Sequence, residues 1–115
     1  MWVFISWRCL PNYQPLSPTV AGLFREDGRG LRDVYKISGP ELESMCDVVR
    51  SVPGCMGERM LGGGDKGAAG ALVRVDAVEA VRQAVEVGYR RSRPGYEPAV
   101  HDVRVVDGVT MLAGL

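Results

Sequence analysis

Cys55-Met56-Gly57-Glu58-Arg59-Met60-Leu61, Gly62-Gly63-Gly64-Asp65-Lys66-Gly67 and Ala68-Ala69-Gly70-Ala71-Leu72-Val73-Arg74-Val75 follow one another, and their reading decides the fold. The first seven residues read as a short strand. The next six read as a loop. Ala68–Val75 reads as a second strand, with Ala69, Ala71, Val73 and Val75 on one face. Side chains this small let another element pack closely on that face. Gly62, Gly63, Gly64, Gly67 and Gly70 place five of the chain's 15 glycines within nine positions. Glycine admits positive φ and close approach of a ligand or a second backbone.

Outward from this hairpin, helices are expected on both sides. Ser38 to Val52 is the clearest. Ser38 and Glu41 have the spacing of a capping box, and Pro40 is harmless in a first turn whose N–H groups lack helical partners. Leu42, Met45, Cys46 and Val49 recur at i, i+3, i+4 and i+7, which is one apolar stripe. Pro53-Gly54 ends it. Thr19 to Tyr35 is weakly helical, and Gly28 and Gly30 predict two short helices or a bent one. Downstream, Asp76 with Glu79 repeats the capping spacing, and Val78, Val81, Val85 and Tyr89 form the core face of another helix. Val100 to Val106 reads as a strand, and Asp107-Gly108 as a hairpin turn into a last strand, Val109–Leu112.

Residues 1–19 read as an irregular arm, since Pro11, Pro15 and Pro18 exclude a helix interior and interrupt a sheet ladder. Residues 20–115 then form the domain. Helices on one face of a small, mostly antiparallel sheet give an α+β class of ferredoxin-like kind.

The 115-residue chain is 46% hydrophobic and 24% charged, which suits one ordinary globular domain rather than a disordered segment. Fourteen basic residues balance fourteen acidic ones, so net charge offers no case for nucleic acid or an anionic membrane. Cys9, Cys46 and Cys55 are odd in number and lack metal-ligand spacing, so no metal site is expected and a reducing, cytoplasmic setting is the default. The apolar opening Met1–Trp7 is too short to span a bilayer and lacks the features of a signal peptide. His101 is the single histidine, which excludes a histidine cluster or a Ser/His/Asp triad, and no catalytic residue is assigned. It is expected at a solvated strand end. Cys46 belongs to the apolar stripe of its helix, Arg90, Arg91 and Arg93 to a solvated helix end, and Glu41 and Glu43 to different faces of one helix.

The glycine loop therefore holds the chemistry. Successive bare N–H groups make a cavity for an anion, and Lys66 adds a point charge suited to phosphate. It is neither a Walker motif nor a dinucleotide fingerprint, because it joins two strands and has no Gly-Lys-Ser/Thr at the required spacing. For an isolated glycine cluster the plain β-hairpin turn is the first reading and the anion cavity the second.

A resemblance changes that order. Leu31-Arg32-Asp33-Val34-Tyr35-Lys36-Ile37-Ser38, then Ser38-Gly39-Pro40-Glu41-Leu42-Glu43, then Val52-Pro53-Gly54-Cys55-Met56-Gly57-Glu58-Arg59-Met60-Leu61-Gly62-Gly63-Gly64 and Gly67-Ala68-Ala69 resemble the C-terminal region of galactokinases, sugar kinases of the GHMP superfamily. That family shows Leu-Arg-Asp-x-Tyr-x-Val-Ser, Ser-Cys-Pro-Glu-Leu-Asp, and Gly-x-Arg-Met-Thr-Gly-Gly-Gly-Phe-Gly-Gly. The resemblance runs over roughly residues 20–112. It implies a GHMP C-terminal domain whose loop Gly62, Gly63, Gly64, Asp65, Lys66 and Gly67 lies on the ATP-phosphate side of the cleft. Asp65 and Lys66 stand where the family has Phe-Gly, and Gly39 where it has Cys.

The resemblance also implies ATP and Mg²⁺ as cofactors, a sugar such as galactose as substrate, and a GHMP N-terminal domain as partner. The family's sugar-binding motif, main phosphate loop and catalytic Asp belong to that N-terminal domain and have no match in this chain. Phosphoryl transfer needs positioning, metal and charge stabilisation together. The expectation is therefore a C-terminal fragment inactive alone. The alternative is a non-catalytic ferredoxin-like module that binds an anion or a protein partner.

Overall fold

The computed structural model describes residues 2–8, 17–62, 67–104, 109 and 111–113. In chain order the elements are β1 (Trp2–Arg8), α1 (Ser17–Asp33), α2 (Pro40–Arg50), β2 (Cys55–Leu61), β3 (Ala68–Val73), α3 (Val78–Ala84), α4 (Arg90–Ser92) and β4 (Pro98–Arg104). A 3-10 turn, Val75–Ala77, leads into α3, and a π-helical turn, Val85–Tyr89, joins α3 to α4. The class is α+β, as expected.

The sheet order is β2-β3-β1-β4. β2 and β3 form the expected antiparallel hairpin, in register from Cys55 opposite Val73 to Leu61 opposite Ala68, with an irregularity between Cys55 and Gly57. β1 lies parallel to both β3 and β4. Over these seven residues the expected irregular arm is thus a strand. Trp2–Arg8 contains no proline and is rich in aromatic and β-branched residues, which favour a pleated surface, whereas the prolines that suggested an arm begin at Pro11.

α2 and the helical run from Val78 pack on the sheet face that carries Met60, Ala69, Ala71 and Val73. Leu42, Met45, Cys46 and Val49 from α2 are buried there, as are Val78, Val81, Val85 and Tyr89. Each side chain of this size contributes roughly 1.5–3 kcal/mol when fully buried. The alanines of β3 bring the helices close.

The capping expectations fail, and the cause is local. Pro40 occupies the first turn of α2, and a residue before proline is pushed to extended backbone. Gly39 is therefore the N-cap, at φ −74° and ψ 162°, with no side-chain cap. That moves the register of the box by one residue. Ser38 Oγ instead donates to Glu43, and Glu41 accepts from Tyr96 Oη. Asp76 likewise caps nothing, since Arg74 claims its carboxylate. Past β4, Val109, Met111 and Leu112 are exposed and outside any strand, and the Asp107-Gly108 turn lies outside the described residues.

α1 is one continuous helix despite Gly28 and Gly30. It crosses β2 so closely that a Cβ on Gly28 would sit 2.9 Å from Arg59 Cβ and 3.1 Å from the Glu58 carbonyl oxygen. At Gly57 a Cβ would lie 2.2 Å from the Ala21 carbonyl oxygen. The glycines that weaken α1 by propensity are what seat it.

This contact yields a stability prediction. Gly57→Ala forces α1 off β2 and costs about 1–3 kcal/mol in urea unfolding, the range for overpacking. Gly22→Ala places its methyl in open space and stabilises by about 0.5–1 kcal/mol.

Candidate functional site

The glycine loop closes the β2–β3 hairpin. Leu61 and Ala68 form its last pair, and Gly62 and Gly67 stand at the two ends of the loop. Gly62 has φ +81° and Gly67 φ +130°, values that L side chains rarely adopt. Both are exposed, and among the described residues a Cβ on either would meet nothing within 4 Å. Gly63, Gly64, Asp65 and Lys66 lie outside the described residues. The described ends of the loop are thus exposed, in a backbone conformation that favours glycine.

A second cluster lies four residues upstream, and sequence reading missed it. Glu58 is on the core-facing side of β2, two residues before Met60, and its side chain is only 1% exposed. Arg25 of α1 donates to it through Nε, at 3.2 and 3.1 Å, and through Nη2, at 2.8 Å. Arg50 of α2 donates through Nε at 2.6 Å. The Cys55 thiol adds a contact at 3.5 Å. A buried carboxylate is tolerated only when paired and hydrogen-bonded, and these partners come from three different elements. The available signal was register: Glu58 shares a strand face with Met60, where a lone charge demands partners.

The other candidates have structural partners. Arg59 Nη1 donates to Asp27 and its guanidinium lies 5.6 Å from the Phe24 ring centre. Arg93 is not a free helix end: it donates to Ser44 Oγ at 3.0 Å and to the Pro40 carbonyl oxygen at 3.2 Å, tying the last helical turn to α2. His101 is exposed in the middle of β4 rather than at its start. Glu41 faces Tyr96 while Glu43 faces Ser38 and Arg32, so they are not a pair. Burial, with the nearby Glu43 and Glu58 charges adding to it, pushes the Cys46 thiol up to about 12. Burial and the Glu58 charge do the same for Cys55. Neither thiol is primed as a nucleophile. Among the described residues no three His, Cys, Asp or Glu side chains converge as metal ligands, and no helix is long and apolar enough to cross a membrane.

No family model matches the chain. Individual proteins do. The galactokinase of Limosilactobacillus fermentum is 39% identical over 74 residues, which cover 64% of this chain and 19% of that protein. The galactokinase of Halalkalibacterium halodurans is 32% identical over 96 residues, or 84% of this chain and 24% of its own length. That of Staphylococcus carnosus is 35% identical over 79 residues, or 69% and 20%. The chain is galactokinase-like. It spans about a fifth of the length of these relatives. In this galactokinase-like chain β2 carries Glu58 and leads directly into Gly62, the first residue of the loop.

Two measurements test the cluster. Glu58→Ala leaves two guanidinium groups without their carboxylate. Its cost in urea unfolding falls toward the lower end of the roughly 3–5 kcal/mol seen for broken buried pairs, because both arginines are partly in water. The combined change Arg25→Met, Glu58→Leu and Arg50→Met recovers most of that loss.

The alkaline limb tests the buried acids. Cys46, Cys55 and Tyr89 are all held up to about 12, from ordinary values of 9.0, 9.0 and 10.0. The folded chain therefore keeps protons that the unfolded chain releases. Their contribution is whole below about pH 9 and is lost as pH rises toward 12. Melting temperature should fall through that window, and less steeply in Cys46→Ala.

Proposed function

We propose that this chain is the glycine-turn portion of a galactokinase-like sugar kinase, the C-terminal part of the complete enzyme. In that enzyme ATP, with Mg²⁺, phosphorylates a hydroxyl of a sugar such as galactose. The observation that supports the reading is the pair of exposed glycines, Gly62 and Gly67, at positive φ values that side chains rarely adopt, in a chain with galactokinase relatives.

The exposure of Gly62 and Gly67, neither of which carries a side chain, supports the proposed nucleotide contact. A phosphate approaching the turn meets no Cβ at Gly62 or Gly67. Residues Gly62, Gly63, Gly64, Asp65, Lys66 and Gly67 would flank the phosphates, with Lys66 as the charged member. Backbone amides in such a loop stabilise negative charge without reorganising during the reaction. Most of the contacts to ATP and Mg²⁺ belong to polypeptide outside the matched fifth, namely the GHMP N-terminal domain. A cytoplasmic setting accords with the few cysteines and with an ATP-dependent reaction.

The division of labour has a direct test. The 115-residue chain, assayed alone with galactose, ATP and Mg²⁺, yields no sugar phosphate. Mixed with the remaining part of the Limosilactobacillus fermentum galactokinase, it restores turnover, and Gly62→Val lowers the restored kcat/KM by about 10²-fold, the cost of a misplaced positioning element. Turnover by the chain alone, or no effect of Gly62→Val, overturns the reading.

A further inference from the structure

α1 is apolar on two sides. One side, with Ala21 and Gly28, lies against β2. The other carries Val20, Leu23 and Val34, which are 50%, 61% and 77% exposed. Val34 follows the last residue of α1, but its N–H still donates to the Gly30 carbonyl oxygen at 2.9 Å, so it keeps the helical spacing. Val20, Leu23, Asp27, Gly30 and Val34 then fall at i, i+3, i+7, i+10 and i+14. That is the seam of one helix packed along another. Among the described residues a Cβ on Gly30 would meet nothing within 4 Å, so a second backbone can come close there.

We propose that this seam is the docking surface for an amphipathic helix from the remainder of the sugar kinase, with a hydrogen-bond donor of Lys or Arg type opposite Asp27. The inference rests on the kinase reading and adds the surface by which the two parts meet. Two observations select the occupant. A match of 96 residues in a chain of 115 necessarily takes in residues 20–96, so the seam lies in the portion shared with the Halalkalibacterium halodurans galactokinase. That portion is 24% of the relative, which leaves about three-quarters of its polypeptide to supply a covering element.

The second observation is the carboxylate at the centre of the seam. Asp27 stands midway between Val20 and Val34, and its side chain is 56% exposed. A second copy of α1 laid in full register, parallel or antiparallel, sets Asp27 against its own counterpart. Like charges brought face to face at an interface oppose association. Self-pairing is therefore disfavoured, and a different helix is required. Arg59 holds Asp27 Oδ2 from the β2 side, which leaves Oδ1 for a donor arriving along the seam. A polar group within an apolar seam fixes partner and register in this way.

The test co-expresses the 115-residue chain with the remaining part of the Limosilactobacillus fermentum galactokinase, then titrates one purified part against the other. A one-to-one complex is expected. Leu23→Gln combined with Val34→Gln weakens it by about 10-fold or more, as loss of two apolar anchors implies. The same pair shifts the melting temperature of the chain alone by no more than about 3 °C, because both side chains are exposed there. Val87→Gln, at an exposed valine outside the seam, leaves the affinity unchanged. Gly62→Val lowers turnover without loosening the complex.

Equal affinity in the Leu23→Gln, Val34→Gln chain, with turnover intact, overturns the inference and leaves the kinase reading standing. A dimer of the chain alone that the same two changes dissolve also overturns it, and gives the face to a second copy. A complex that these changes weaken, yet that phosphorylates no sugar, sinks the kinase reading and keeps the seam as a docking surface. Failure of the unaltered parts to associate overturns both.

Discussion

The carboxylate of Glu58 sits at the point where β2, α1 and α2 meet, and the arrangement of all three depends on it. Once the strand buries this charge, water can no longer solvate it, and guanidinium groups must do so instead. Arg25 supplies α1 and Arg50 supplies α2. Such a pair adds little net stability over an apolar cluster of the same shape, since desolvation offsets much of the attraction. It is selective all the same. A helix placed one turn away would leave a buried ion without a partner, and that error is expensive. The clamp therefore acts on which arrangement forms more than on how stable it is.

Close backbone approach is the second constraint, and it works with the first. Arg25 reaches Glu58 because α1 lies almost against β2, at Gly57 and Gly28, where any side chain would collide. On the other side of the hairpin Ala69 and Ala71 let α2 and the Val78–Tyr89 run approach β3. Strand β2 thus arrives at Gly62 anchored by a charge cluster, a glycine-lined helix contact and an antiparallel partner. The loop that follows is exposed at both described ends, Gly62 and Gly67. Binding groups are often carried this way, on a turn held by a packed scaffold.

Much of this was legible beforehand. Periodicity found the apolar stripe of α2 and the core face Val78, Val81, Val85 and Tyr89, because burial against a sheet imposes a spacing that survives in the residues themselves. The hairpin β2–β3 and its glycine turn were legible because strand alternation and glycine conformation are local matters. The capping boxes at Ser38 and Asp76 were misread for an equally local reason: the hydroxyl and the carboxylate had closer partners in Glu43 and Arg74. The continuity of α1 through Gly28 and Gly30 was not legible, because the contact that rewards Gly28 comes from residues 30 positions away.

The amino-acid order by itself determined the helix stripes, the hairpin, the α+β class and the glycine content of the turn, since each depends on spacing within a few residues. Tertiary structure alone decided that Trp2–Arg8 enters the sheet between β3 and β4 and that Glu58 finds Arg25 and Arg50. Those outcomes depend on which distant groups share one small volume. Desolvation and charge pairing act on distance in space, and no short window of sequence contains that distance.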